Sequence, residues 1–151
     1  KRVVTSLSVY NDLPEFNIYG KTDCVEFIPD VNGVFIEKFQ DKYRLCVVEY
    51  KPTKPKTMDY NMDDLMQVFA QKICIDYIFG GDAEGVIYYA DVKKRIKLPL
   101  TDNADEYAQA LKSILRDMRY YLERAEMQRL LYERSLYAFK KIERQHQSHD
   151  K

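Results

Sequence analysis

The chain carries no excess of charge of either sign: 24 Lys and Arg stand against 24 Asp and Glu in 151 residues. Nothing global therefore points to a polyanion such as nucleic acid, and any such attraction has to come from local clusters. No apolar run approaches the ~20 residues that span a bilayer. No signal-peptide pattern opens the chain either, so a cytoplasmic protein with no membrane partner is expected. There is no initiating methionine; the chain starts at Lys1 in strand-like sequence, as a piece of a longer product would. Cysteine is scarce, and Cys24, Cys46 and Cys74 are scattered within apolar runs. That spacing suits small core residues in a reducing cytosol better than a disulfide or a metal site. Histidine occurs only at His146 and His149, in the tail, where it reads as incidental. No internal repeat is found.

What is present suits one soluble domain with a single core, at 46% hydrophobic and 32% charged residues. Arg2–Tyr10 is rich in β-branched residues and predicts a first strand, broken by the turn chemistry of Asn11-Asp12-Leu13-Pro14. A second strand is expected over Ile18–Ile28, ended by Pro29-Asp30. Asn32-Gly33 is the pair that a two-residue hairpin favours, and Val34–Ile36 and Tyr43–Tyr50 complete an antiparallel meander. Pro52–Lys56 cannot join a sheet interior, because each proline lacks a ladder donor. Asn61 can cap a helix with Asp63 and Asp64 in its first turn and an apolar stripe of Leu65, Phe69, Ile73 and Tyr77, stopped by Gly80-Gly81. A hairpin of Val86–Ala90 and Val92–Leu100 follows. Two helical runs, 103–124 and 125–144, come next, then a frayed tail from Gln145. The expected product is a mixed, twisted sheet with the Asn61–Phe79 helix on one face and the later helices flanking it.

The chemistry gathers where the Tyr43–Tyr50 strand leaves the core. Glu49 and Lys51 are two apart on a strand and so share one face, and the neighbouring strand delivers Asp23. Phosphodiester cleavage needs a positioned water, a Lewis acid and stabilisation of the leaving oxygen. Two carboxylates suffice to hold Mg²⁺ or Mn²⁺, since these hard cations keep several waters. Asp23 and Glu49 would be the ligands, with the backbone carbonyl of Tyr50 as a third oxygen. Lys51 would orient or deprotonate the attacking water, or neutralise developing charge. Gln67 and Gln71, four apart, share a helix face beside the apolar stripe. They are either exposed amides or groups that reach the water network and DNA; Gln67 is assigned to the catalytic set and Gln71 to DNA contact. Lys54 and Lys56 in the loop, and Lys94 and Arg95 in the hairpin, fit contacts to a phosphate backbone or a solvated turn. Of Tyr88 and Tyr89 one faces inward and the other could meet a nucleotide, and Tyr88 is assigned that role.

Val48-Glu49-Tyr50-Lys51-Pro52, with Asp64-Leu65-Met66-Gln67-Val68-Phe69-Ala70-Gln71 after it, resembles the RecB-like CRISPR-associated exonucleases, the Cas four family. Gly20-Lys21-Thr22-Asp23 is similar to the family's Gly-x-x-Asp metal motif, and Glu49-Tyr50-Lys51 to its Glu-x-Lys motif. Gln67–Gln71, Tyr88-Tyr89-Ala90-Asp91 and Lys94-Arg95 are similar to its glutamine helix and following hairpin. The resemblance covers about residues 2–125. It implies an α/β (α+β) fold with a PD-(D/E)xK, restriction-endonuclease-like core over 1–125 and a C-terminal helical extension over 126–151. The implied activity is a Mg²⁺- or Mn²⁺-dependent deoxyribonuclease that trims prespacer DNA ends and selects their motif beside CRISPR integrase subunits. Family members also hold an iron–sulfur cluster on one cysteine near the N-terminus and three near the C-terminus. Neither group is in this sequence, nor is the N-terminal helical region with its metal-site histidine. A nuclease-like subunit that binds DNA with little cleavage, or another PD-(D/E)xK nuclease such as a restriction or junction-cleaving enzyme, is the alternative.

Overall fold

The computed structural model describes residues 1–149, with side chains as far as Gln145. Asp150, Lys151 and the side chains of His146 and His149 lie outside the described residues; the helical backbone runs to His149, past the point where fraying is expected. The chain divides into two compact units, Lys1–Lys112 and Ser113–Lys151. Among the described residues the elements are β1 (Arg2–Thr5), β2 (Ser8–Asn11), β3 (Ile18–Lys21), β4 (Cys24–Ile36), β5 (Asp41–Lys51), α1 (Met62–Phe79), β6 (Glu84–Tyr89), β7 (Lys94–Lys97) and α2 (Ala104–His149). The fold is mixed α+β. Its main sheet has five strands in the order β1-β4-β5-β6-β7, and β2 and β3 form a separate pair. Only β5 and β6 are parallel, and α1 is the crossover that such a pair requires.

The first strand is not continuous. Ser6 turns into the left-handed region, at φ 53°, so β1 pairs with β4 while β2 pairs with β3. The strand expected over Ile18–Ile28 is likewise cut at Thr22-Asp23. The two breaks are stitched together: Thr22 N–H donates to Leu7 O at 3.0 Å and Ser6 N–H to Asp23 O at 3.1 Å. Pro29-Asp30 does not end a strand, and Asn32-Gly33 is not a hairpin turn. β4 continues to Ile36 through an irregularity in which Pro29 and Val34 both register on Tyr43. Gly33 serves close approach here, since a Cβ would collide with the Tyr43 carbonyl. The turn itself is a 3₁₀ turn at Glu37–Phe39, closed by Gln40 at φ 53°. Proline is tolerated because β1 reaches only to Phe27, leaving that edge of β4 open at Pro29.

Asn61 is the N-cap of α1, although its side chain makes no capping bond, and Gly80 and Gly81, at φ of 79° and 83°, follow its last residue. Its buried arc is wider than the expected stripe and turned away from it. Leu65, Val68, Phe69 and Ile75 are buried with Gln71, Lys72 and Cys74, while Tyr77 is exposed. The cause is a second contact: the β2–β3 pair also lies on α1, with Asn11 Nδ2 donating to Ile73 O at 3.1 Å and Tyr10 edge-on to Tyr77. Buried Lys72 is paired with Asp76 and Asp82, which hold the α1–β6 turn. On the sheet face opposite α1, Cys24, Cys46, Val48 and Val86 form a small apolar cluster. The first turns of α2 bury Tyr107 and Leu111, and Tyr107 packs edge-on to Phe69.

In place of two helical runs, α2 is continuous from Ala104 to His149. No proline or glycine follows Pro99, so nothing interrupts the backbone ladder. In the second unit Ile114, Met118 and Leu122 are among the apolar side chains left exposed. Among the described residues no helix is long and apolar enough to cross a membrane.

Candidate active site

Strand alternation puts Leu45, Val47, Glu49 and Lys51 of β5 on the face toward α1. Glu49 is 5% exposed at the end of that apolar run. Both of its oxygens are held by α1: Gln67 Nε2 donates to Oε1 at 3.1 Å and Gln71 Nε2 to Oε2 at 3.2 Å. Gln67 is bridging, because its Oε1 accepts from Lys51 Nζ at 3.2 Å. The Lys51 ammonium also stands 3.4 Å from Asp64 Oδ1 and 3.9 Å from Glu49 Oε1. Gln71 thus belongs to the buried carboxylate's own shell, where the sequence assigns it to DNA contact and places it beside the buried stripe.

Asp23 sits at the stitched junction before β4 and is solvent-exposed. Its Oδ2 accepts the Tyr50 backbone N–H at 3.0 Å; Cys24 registers on Val48, so Asp23, one residue before it, comes opposite Glu49. Lys51 presents its carbonyl to the other edge, where Ala90 N–H donates to it at 2.9 Å. Successive residues of a strand turn their peptide groups to opposite edges, so the Tyr50 carbonyl faces the Asp23 side. Asp23, Glu49, the Tyr50 carbonyl, Lys51 and Gln67 are therefore brought together.

Burial pushes the Glu49 carboxyl above its ordinary range, and the neighbouring Asp23 adds to the rise; the Gln71 hydrogen bond and Lys51 oppose it. Two carboxyls this close repel one another when ionised, and a cation between them relieves that repulsion. Gln71 Oε1 is buried with no protein donor, and a hydrated ion brings water donors to such an atom. The donor set, two carboxylates and a carbonyl, suits a hard cation that retains waters. Among the described residues no three His, Cys, Asp or Glu gather as a metal-holding group.

The remaining sequence-assigned residues are dispersed. Lys54 turns its ammonium into its own loop, donating to Met58 O at 2.8 Å and Pro55 O at 3.2 Å. Lys56 is exposed in the same loop. Lys94 pairs with Tyr89, which pairs with Lys51, so it lies in the same cross-strand row on the α1-facing side. Arg95 and Tyr88 stand on the opposite face. There Arg95 forks onto Glu26 at 2.7 and 3.1 Å, and Tyr88 is edge-on to Tyr50. Tyr89 is the inward tyrosine and is fully buried. Cys24, Cys46 and Cys74 are buried free thiols, and burial raises all three, Cys46 to about 12 and Cys74 to about 11.

Asp64 is the residue that sequence reasoning missed, having been assigned only to the helix dipole. The signal was present, because residues 64, 67 and 71 recur at the i, i+3, i+7 spacing of one helical line. No protein-family model matches the chain, and no curated protein matches it.

Proposed function

We propose that the chain is a Mg²⁺- or Mn²⁺-dependent deoxyribonuclease with a PD-(D/E)xK-type core, acting on DNA ends. Its resemblance to the Cas four family makes prespacer ends the substrate and CRISPR integrase subunits the partners. One observation carries the reading: Asp23 and Glu49, from separate segments, meet beside Lys51 and Gln67 at the end of β5. A buried, ionised Glu within an apolar strand costs stability even when it is partly offset by hydrogen bonds, and a second carboxylate beside it raises that cost, so the pair points to a cation.

Asp23, Glu49 and the Tyr50 carbonyl would hold the ion. When bound, the metal supplies a Lewis acid for the phosphate and lowers the pKa of water. The chain's own groups do the rest. Gln67 and Gln71 fix both Glu49 oxygens, so the carboxylate keeps one orientation. Gln67 also holds the Lys51 ammonium on the same side, where its charge meets negative charge developing on the phosphate. Lys94 and Lys56 offer exposed cations for the backbone of the bound strand. The second reading is a subunit that binds DNA with little cleavage.

Single-turnover digestion of end-labelled DNA in Mn²⁺, with a binding titration in Ca²⁺, separates the two. Wild type should cut, and Lys51→Ala should lose on the order of 10²–10³ in rate, the usual worth of one transition-state electrostatic group, with binding nearly unchanged. A wild type that binds but never cuts establishes the binder; equal cutting by both proteins removes Lys51 from the chemistry.

A further inference from the structure

The Lys51 ammonium does not hang free beside Glu49. It is seated on α1, 3.2 Å from Gln67 Oε1 and 3.4 Å from Asp64 Oδ1, and only 3.9 Å separates it from Glu49 Oε1. Asp64 and Gln67 are one helical turn apart on one line of α1, so two acceptors spaced by the helix receive one ammonium. Neither partner is loosely placed. The Asp64 side chain is 20% exposed and that of Lys51 is 26% exposed. The segment joining β5 to α1 is tied down as well. Ala90 and Asp91 N–H donate to Lys51 O and Pro52 O. Lys54 N–H donates to the Asp91 carboxylate, and the Lys54 ammonium closes on Met58 O.

We propose that Asp64 is the positioning residue for Lys51: its carboxylate draws the ammonium onto the first turn of α1 and holds its charge over the Asp23–Glu49 pair. A lysine has four rotatable side-chain bonds, and an unrestrained one spreads its charge over a wide volume. Gln67 alone cannot prevent this, because a neutral amide bonds an ammonium less strongly than a carboxylate does. The inference deepens the nuclease reading and rests on it.

Three variants test it. Asp64→Asn keeps size but removes the charge. Asp64→Glu restores the charge. Asp63→Asn removes an acidic residue from the same first turn, so it reproduces any effect on helix stability without touching Lys51. The first readout needs no catalysis: the acylation rate of Lys51 by acetic anhydride, followed by mass spectrometry against exposed Lys56. Asp64→Asn should raise that ratio several-fold, Asp64→Glu should return most of it, and Asp63→Asn should leave it unchanged. The second is single-turnover cleavage in Mn²⁺. Asp64→Asn should lower the saturated rate by about 10- to 100-fold, as small misplacements of a reacting group do, with half-saturating DNA within twofold. An unchanged acylation ratio, an equal loss of rate in Asp63→Asn, or faster cleavage by Asp64→Asn overturns the proposal. Faster cleavage would make Asp64 a competitor that keeps Lys51 from the substrate. If wild type itself does not cut, the nuclease reading falls and takes the positioning role with it. A wild type that cuts beside an equally active Asp64→Asn sinks this inference alone.

Discussion

Asp23 accepts the backbone N–H of Tyr50 at 3.0 Å, across the gap between the β3–β4 junction and the end of β5. That bond ties an exposed carboxylate to the residue between Glu49 and Lys51, so the backbone of β5 locates Asp23. Asp23→Asn retains an acceptor for Tyr50 and removes the charge. It should therefore fold at least as well as wild type at neutral pH while losing the metal. Near 100 times Kd, ligand binding adds about 2.7 kcal/mol of stability, roughly 5–10 °C in Tm for a chain of this size. Thermal melts with and without Mn²⁺ should show that shift in wild type and not in Asp23→Asn. An equal shift in both would remove Asp23 from the ligand set.

Glu49 predicts a pH dependence of the opposite sense to that of an ordinary salt-bridged acid. Burial raises its folded pKa, with Asp23 adding to the rise, so the folded state holds this proton more tightly than the unfolded chain. Its contribution to stability thus declines as pH rises from the unfolded value, about 4.3, through the raised one. Each unit between the two is worth about 1.4 kcal/mol. Urea unfolding without divalent ions should show Glu49→Gln gaining on wild type from pH 4 to pH 7, by an amount on the order of 1 kcal/mol. A difference that stays flat or shrinks over that range would contradict the assignment.

Arg95 and Lys94 are adjacent in sequence and should respond differently. Arg95 forks onto Glu26, which is 5% exposed. Burial pushes the Glu26 carboxyl up, but hydrogen bonds from Arg95 and Lys1 outweigh it and hold the group below its usual range. Arg95→Ala should cost about 1–3 kcal/mol, less than a fully buried pair because the Arg95 side chain is 48% exposed and Lys1 remains. This stabilisation is present above the unfolded Glu26 value and is lost as pH falls through the folded one. Lys94→Ala should leave stability alone and weaken DNA binding. Urea curves beside fluorescence anisotropy decide, and the reverse pattern would place the DNA on the Glu26 face.

The two loop lysines separate in the same way. Lys56→Ala should weaken binding to any duplex alike and reduce the salt slope by about 0.9. Lys54→Ala removes the ammonium that gathers the Pro55 and Met58 carbonyls. Its main effect should be a looser approach to α1, read as faster amide exchange over residues 57–64. Equal salt slopes in the two variants would show that Lys54 turns outward to DNA.

Some of this was legible in the residues themselves. A continuous apolar run, Leu45-Cys46-Val47-Val48, marked β5, the two-residue spacing put Glu49 and Lys51 on one face, and the prolines after Lys51 required a loop. Helical spacing placed Gln67 and Gln71 together. These are local rules of period and turn chemistry, acting over a few residues. Register and direction were not legible, since they depend on partners distant in the chain. Asn32-Gly33 carries a hairpin signal, yet the long pairing of β4 with β5 overrides it and uses Gly33 for close packing. Gln71 looks peripheral in the sequence, because Leu65, Phe69, Ile73 and Tyr77 form the regular apolar stripe and Gln71 lies beside it. The contact of α1 with both sheets turned that face and buried the amide against Glu49. Lys94 and Arg95 look like one basic cluster, but a strand sends neighbours to opposite faces, and the buried Glu26 then decides what Arg95 does. Local sequence determined that β5 and α1 form and which end of β5 carries the charged groups. Only the tertiary structure decided which charges meet, because a carboxylate's partners are set by distances of a few ångström between segments far apart in sequence.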